Sequence, residues 1–380
     1  MVELRKFMAP EFVFGRGALD LVAQYVINFG AGRVLIVTDP GVIAAGWTQR
    51  VFQSLESKGV PFSVYSGVSP NPRAEQVAEG TAFYREQKCS MIVAVGGGSP
   101  MDCAKGIGIA GANERHVLEF EGIDRVAVPG PPLICIPTTA GSSADVSQFA
   151  IITDSERRVK IAVVSKTMVP DVALIDPATT TTMDGELTAC TGLDALCHAI
   201  EAYVSNAHSA ITDLHALEAV RLISENLVAV LQHPEDIALR GQMMLASLHA
   251  GLAFSNASLG AVHAMAHSLG GFLDVPHGES NSILLPQVVA FNFESAAERY
   301  CRIGEAMGLR MEEGREKAAL VAGLVELRSR AGVNRRLSEI GVKAGDLPRL
   351  AQMAMLDVCM VTNPRIPSSK EIEVLYEEAL

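Results

Sequence analysis

Between Val34 and Asp176 the chain alternates short apolar, β-branched runs with stretches of helical pattern, and this alternation limits the fold more than any other feature. Val34 to Thr38, Met91 to Val95, Leu133 to Ile136 and Val172 to Ile175 are apolar on both faces, as strands buried in a parallel sheet are. Trp47 to Lys58 and Ala74 to Gln87, between the first two runs, repeat apolar positions at helical spacing. This βαβα order predicts an open α/β sheet. Phe149 to Thr153 and Val159 to Val164 flank Asp154-Ser155-Glu156-Arg157-Arg158 and read as a β-hairpin appended to that sheet. After Thr179 to Thr182 the strand signals stop. Leu214 to Leu231 and Glu312 to Arg328 carry apolar residues three and four apart, and Ser368 to Glu371 is a capping box before a last helix. The expected organisation is an α/β domain over residues 1–182 and an all-helical domain over residues 183–380. A length of 380 residues allows two cores, since single cores stop growing at about 250–300 residues.

Composition narrows the setting. A net charge of −12 without basic runs argues against nucleic acid as a partner. Seven cysteines, an odd number with no Cys-x-x-Cys, read as reduced thiols. The first seven residues lack the apolar stretch of an export signal, so a cytoplasmic enzyme is expected. Gly241 to Leu273 holds no Asp, Glu, Lys or Arg, but its His, Asn, Ser and Gly residues make it two buried helices rather than a membrane span.

Four side chains in the helical half, Asp194, His198, His263 and His277, can together hold a divalent metal. Asp194 and His198 are four apart and project from one helix face. Three of the nine histidines fall between Ala261 and Gly278. One carboxylate with three neutral nitrogens suits Fe(II) or Zn(II) and leaves a coordination position for substrate. The alternative for each residue is a hydrogen-bonded place in the core. His267 shares the face of His263 without needing to be a ligand, and Cys197 diverges from His198 as core filler.

In the other half, Met91 to Val95 runs into Gly96-Gly97-Gly98-Ser99-Pro100-Met101-Asp102. A strand, three glycines and a helix start put bare N–H groups at the positive end of a helix, a site for pyrophosphate, although a tight turn reads the same way. Asp39 follows the first strand, where a carboxylate accepts from adenosine ribose hydroxyls and repels a 2′-phosphate, favouring NAD over NADP; it reads equally as a turn residue in Thr38-Asp39-Pro40-Gly41.

Together these motifs resemble the iron-containing (group III) alcohol dehydrogenases, the family of lactaldehyde reductase and 1,3-propanediol dehydrogenase. The resemblance runs from Phe14-Gly15-Arg16-Gly17 through the glycine turn, Pro137-Thr138-Thr139 and Gly192 to Glu201, to the stretch from His263 to Gly278. It implies an N-terminal Rossmann-like dinucleotide-binding domain and a C-terminal all-helical metal-binding domain of dehydroquinate synthase-like fold. It also implies Asp194, His198, His263 and His277 as ligands, with Asp39, Gly97, Gly98, Ser99, Asp102, Thr138, Thr139 and Lys160 on the NAD side. His267 would sit beside the metal near the nicotinamide, Phe149 and Phe254 would line the alcohol pocket or serve as core aromatics, and the assembly would be a homodimer or larger homo-oligomer. The chain departs from the family where Ser143 replaces a common glycine and Gln148 a frequent asparagine, so substrate preference does not carry over.

The expected activity is NAD(H)-linked interconversion of primary alcohols and aldehydes by hydride transfer, with the substrate oxygen bound to Fe(II), Zn(II) being the alternative metal. His267 would carry a proton or simply shape the pocket. One rival is a dehydroquinate synthase-like lyase, which also combines a metal with NAD but needs a basic cluster that the metal-proximal segments lack. Another is a glycerol dehydrogenase-like polyol dehydrogenase using zinc. A metal-dependent hydrolase would leave the glycine turn unexplained, and a non-catalytic binding protein would show no turnover.

Overall fold

Each apolar run in the first half is short enough to be one strand, and pairing with its neighbours satisfies the backbone that its side chains cannot. The structure, a computed structural model, describes residues 6–380; the first five residues of the stretch read for an export signal lie outside the described residues. The chain divides into two compact units: Met8–Thr139 with Ser143–Thr182, and Met183–Leu380 with Ala140–Ser142, the second also taking in Phe7.

In the α/β unit the strands are β1 (Glu11–Phe14), β2 (Val34–Val37), β3 (Phe62–Tyr65), β4 (Met91–Gly96), β5 (Gly122–Ile123), β6 (Leu133–Pro137), β7 (Phe149–Asp154), β8 (Val159–Val164) and β9 (Val172–Ile175). Six form one parallel sheet in the order β1-β9-β6-β4-β2-β3. The helices are α1 (Val22–Asn28), α2 (Pro40–Ala44), α3 (Trp47–Ser57), α4 (Ala74–Glu86) and α5 (Gly98–Asn113). Alternate residues of one strand serve different layers. Val34 and Ile36 pack with Val22, Val26, Val51 and Leu55 of α1 and α3, whereas Leu35 and Val37 pack with Val77, Met101 and Ile107 of α4 and α5. The chain passes from β2 to β3 on one side, then returns to place β4 on the other, so the strand order reverses between β2 and β4. The carboxyl ends of two strands at such a reversal are where open α/β sheets bind ligands.

The hairpin of β7 and β8 forms as expected, with Phe149 opposite Val164, but it is not part of the parallel sheet. It joins β5 in a separate three-stranded sheet. The reason lies in what holds it: β8 pairs with β5, while side chains of α5 take the β7 backbone, Asp102 Oδ2 accepting from Ile151 N at 3.0 Å and Lys105 Nζ donating to Phe149 O at 2.7 Å.

The helical unit consists of α6 (Gly185–Val204), α7 (Ala210–Gln232), α8 (Ile237–Ala257), α9 (Ala261–Leu273), α10 (His277–Asn292), α11 (Ala297–Ala306), α12 (Glu316–Arg330), α13 (Leu347–Leu356) and α14 (Ser369–Ala379). Side-chain oxygens start most of the long ones: Asp184 caps α6, Ser209 α7, Asp236 α8 and Ser368 α14. The uncharged stretch from Gly241 onward lies in α8 and α9, which are buried along most of their length. Helix α12 starts at Glu316, because residues 312–315 form a turn. No helix of the described residues is long and apolar enough to cross a membrane.

Candidate functional site

Three helices of the helical unit converge their polar faces. Helix α6 carries Asp194, His198 and Glu201, spaced four and then three apart and hence on one face. Helix α9 carries His263 and His267 on successive turns, and α10 opens on His277 with Asn281 one turn later. Close approach of α10 to α6 depends on Gly278, where a Cβ would lie 2.5 Å from the carbonyl of Cys190. Donor atoms of Asp194, His263 and His277 all lie within 4.8 Å of one another. Asp194 Oδ1 is 3.7 Å from His263 Nε2 and 3.9 Å from His277 Nε2. His198 stands outside that group of three. Its ring is stacked between Phe254, at 4.4 Å, and His263, at 4.5 Å.

The electrostatics favour a positive charge at this point. His263 sits between two buried carboxylates, Asp194 and Glu201; burial opposes its charge, yet the two acids raise its pKa to about 9. Asp194 is likewise held far below the usual carboxylate range: burial pushes it up, and the neighbouring histidines outweigh that. Burial pulls His198 down to about 3, with Asp194 opposing, so this imidazole is neutral and offers a lone pair. Glu201 Oε2 lies 2.6 Å from His263 Nδ1 and Asp194 Oδ1 3.7 Å from its Nε2, so a cation held at Nε2 would displace the proton that the two acids stabilise there.

The donor set fits a divalent cation. Asn281 Nδ2 lies 2.6 Å from Asp194 Oδ1 and 3.1 Å from both His263 Nε2 and His277 Nε2. An amide nitrogen has two hydrogens and cannot satisfy the carboxylate and both imidazole nitrogens once these are deprotonated, as metal ligands are. The Asn281 oxygen and His198 Nδ1 are buried with no hydrogen-bond partner among the described residues. A carboxylate and two imidazole nitrogens around one point, with one negative charge among them, are what a metal ion satisfies.

Two functional candidates escaped the sequence reading. Glu201 is one: helix α9 begins at Gly260 without a cap of its own, and Glu201 Oε1 takes Val262 N at 2.7 Å while Oε2 takes the His263 ring. Its spacing from Asp194 and His198 is a signal that could have found it. The other is Asp357, whose Oδ2 is 2.8 Å from His267 Nδ1. Nothing local marks it, ninety residues along the chain.

In the α/β unit, Asp39 follows β2, the glycine turn follows β4, and Thr138 and Thr139 follow β6, on three adjacent strands at their carboxyl ends. Gly96 has φ +150, and a Cβ there would lie 2.7 Å from the Pro100 ring. Gly97 precedes α5 with no side-chain cap, leaving the first N–H groups of the helix bare, with Ser99 in its first turn. Asp39 Oδ1 takes Val42 N at 2.9 Å and caps α2. Asp102 has its pKa raised to about 6 because burial outweighs the pull of Lys105, Ile151 N and Lys160. Phe149 is 7 % exposed at the start of β7, and its carbonyl is tied to Lys105.

Residues 9–177 match the iron-containing alcohol dehydrogenase family and residues 188–380 the C-terminal Fe-containing alcohol dehydrogenase family. The chain is 39% identical over 373 residues to 1,3-propanediol dehydrogenase of Klebsiella pneumoniae, covering 96% of each. It is 37% identical over 373 residues to lactaldehyde reductase of Escherichia coli strain K12, covering 96% of this chain and 97% of that one. A solved structure of a 1,3-propanediol oxidoreductase superposes with a TM-score of 0.96 at 37% identity and covers 100% of both chains. Neither the lyase nor the zinc polyol dehydrogenase alternative is favoured by these likenesses. The chain is thus a member of the iron-containing alcohol dehydrogenase family, whose enzymes use NAD(H) and iron.

Proposed function

We propose that this alcohol dehydrogenase interconverts small primary alcohols and aldehydes, with Asp194, His198, His263 and His277 holding the iron and His267 acting at the substrate. The observation that carries the reading is the convergence of Asp194, His263 and His277 on one point where an amide leaves an acceptor unsatisfied. When bound, iron supplies Lewis acidity toward the substrate oxygen and the nicotinamide supplies the hydride acceptor. The chain's own residues do the rest. Glu201 aims His263, the stacking of His198 between Phe254 and His263 fixes its plane, and His267 accepts or returns the hydroxyl proton.

On the cofactor side, residues 1–182 bind NAD and residues 183–380 hold the metal. Gly97, Gly98 and Ser99 receive the pyrophosphate at the bare start of α5, Asp39 receives the ribose, and Asp102, Thr138, Thr139 and Lys160 complete the contacts. Phe149 and Phe254 are each assigned to contact with the alcohol, and the packing of each within its own unit supports a framework role as well. The assembly in this reading is a homodimer or larger homo-oligomer, and the free cysteines agree with a cytoplasmic setting.

The test is a panel of short primary alcohols, diols and aldehydes with NAD(H), after anaerobic loading with Fe(II) or Zn(II). NADH formation with primary alcohols, fastest on the iron form, is expected. Absence of turnover with every simple alcohol in both metal forms would sink the reading.

A further inference from the structure

We propose that Asp357 is the positioning residue that makes His267 a proton acceptor, by holding its imidazole in the Nδ1–H form and leaving the lone pair on Nε2. The inference rests on the reading of His267 as a group that acts at the alcohol.

Both oxygens of Asp357 are engaged. Oδ1 accepts from Cys359 N at 2.8 Å, capping the short 3-10 turn Val358–Thr362, and Oδ2 lies 2.8 Å from His267 Nδ1. An ionised carboxylate only accepts, so the hydrogen between the two residues belongs to Nδ1. In the neutral ring Nε2 is then the lone-pair atom, and no described residue is hydrogen-bonded to it. The ring lies parallel to His277, centroids 5.3 Å apart at 12°, so its direction is fixed by stacking as well as by the carboxylate.

The same device appears one turn earlier on α9, where Glu201 holds His263 by Nδ1. Two histidines on one helix face are each gripped at Nδ1 by a carboxylate from another element, which turns the Nε2 side of each ring away from that carboxylate. The segment carrying Asp357 also anchors the helix start, because Asn363 Oδ1 accepts from Ala261 N at 3.1 Å. Residues 357–363 therefore set both the position of α9 and the tautomer of His267.

Asp357→Asn tests this without removing the cap. The asparagine oxygen still receives Cys359 N–H, and its NH2 then faces His267 Nδ1, which forces the hydrogen onto Nε2. Asp357→Ser keeps a capping oxygen and leaves the imidazole without a partner. The expected result for Asp357→Asn is a fall in kcat of about 10²- to 10⁴-fold, the range seen when a catalytic imidazole is held in the wrong tautomer. Metal content and KM for NAD should stay at the wild-type value, and Asp357→Ser should fall less. In the His267→Ala background, Asp357→Asn should add nothing. Imidazole ¹⁵N shifts of the diamagnetic zinc-loaded protein should move from the Nδ1–H to the Nε2–H pattern. A kcat within about twofold of wild type, an equal fall in the His267→Ala background, or an unmoved tautomer would each overturn the proposal. An unchanged rate for His267→Ala alone would remove the catalytic reading of that residue instead, and the nitrogen shifts would then decide the tautomer by themselves.

Discussion

The two units carry their chemistry in different materials. In the helical unit the candidate site is made of buried side chains, and each histidine of α9 is aimed by an acid drawn from another element, Glu201 from α6 and Asp357 from the turn after α13. In the α/β unit it is made of backbone: a glycine with φ +150, a helix start without a cap, and strand ends at a reversal of sheet order. A side-chain site is sensitive to the chemistry of single atoms at constant shape. A backbone site is sensitive to shape and tolerates changes of side-chain charge around it. Substitutions that preserve volume should therefore separate the two.

The largest effect is expected at Asp194. Asp194→Asn preserves the volume but removes the one negative charge among the donors, and it leaves His263 facing an amide. Loss of bound iron by elemental analysis and a fall in kcat of about 10³-fold or more are expected, several kcal/mol of lost transition-state stabilisation. Normal iron content in that variant would break the side-chain side of the comparison. A smaller effect is expected at Glu201, because it acts through His263. Glu201→Gln can serve Val262 N or the imidazole but not both, so metal affinity should weaken by about 10- to 100-fold. Chelator competition measures this. A lowered Tm with unchanged affinity would reduce Glu201 to a helix cap.

The same contrast explains what could be read from the chain. Strands β2, β4, β6 and β9 are fully buried, and their unbroken apolar runs announce them. Strands β1 and β3 have four residues each and are partly exposed, so pairing with β9 and β2 recruits them rather than any pattern of their own. The hairpin was legible as a hairpin because its turn is local. Its sheet was not, because Asp102 and Lys105 hold it through tertiary contacts. In the candidate site the pair Asp194 and His198 and the pair His263 and His267 follow from helical spacing. Asp357 does not, since no periodicity links residues ninety apart. Lys105 is similar: following a glycine turn, nothing in the sequence says that its ammonium points inward to Ser147 O and Phe149 O rather than outward to phosphate.

The smallest expected effect, and the sharpest test of the backbone side, lies at Asp39. One oxygen caps α2 through Val42 N, and the other makes no hydrogen bond to a described residue. Two roles thus share one side chain, and two substitutions part them. Asp39→Ala removes both and should cost about 1 kcal/mol of stability, a lowered Tm, as loss of an N-cap does. Asp39→Ser keeps a capping oxygen, so its Tm should stay close to wild type, yet it removes the charge that repels a 2′-phosphate. If Asp39 meets the ribose, both variants should lose about tenfold of their preference for NAD over NADP, about 1.4 kcal/mol, measured as the ratio of kcat/KM values. If Asp39→Ser retains the full preference, the carboxylate is only a cap. Cofactor choice would then rest on the glycine turn and the bare start of α5, and the α/β unit would be a backbone site with no side-chain element in its selectivity.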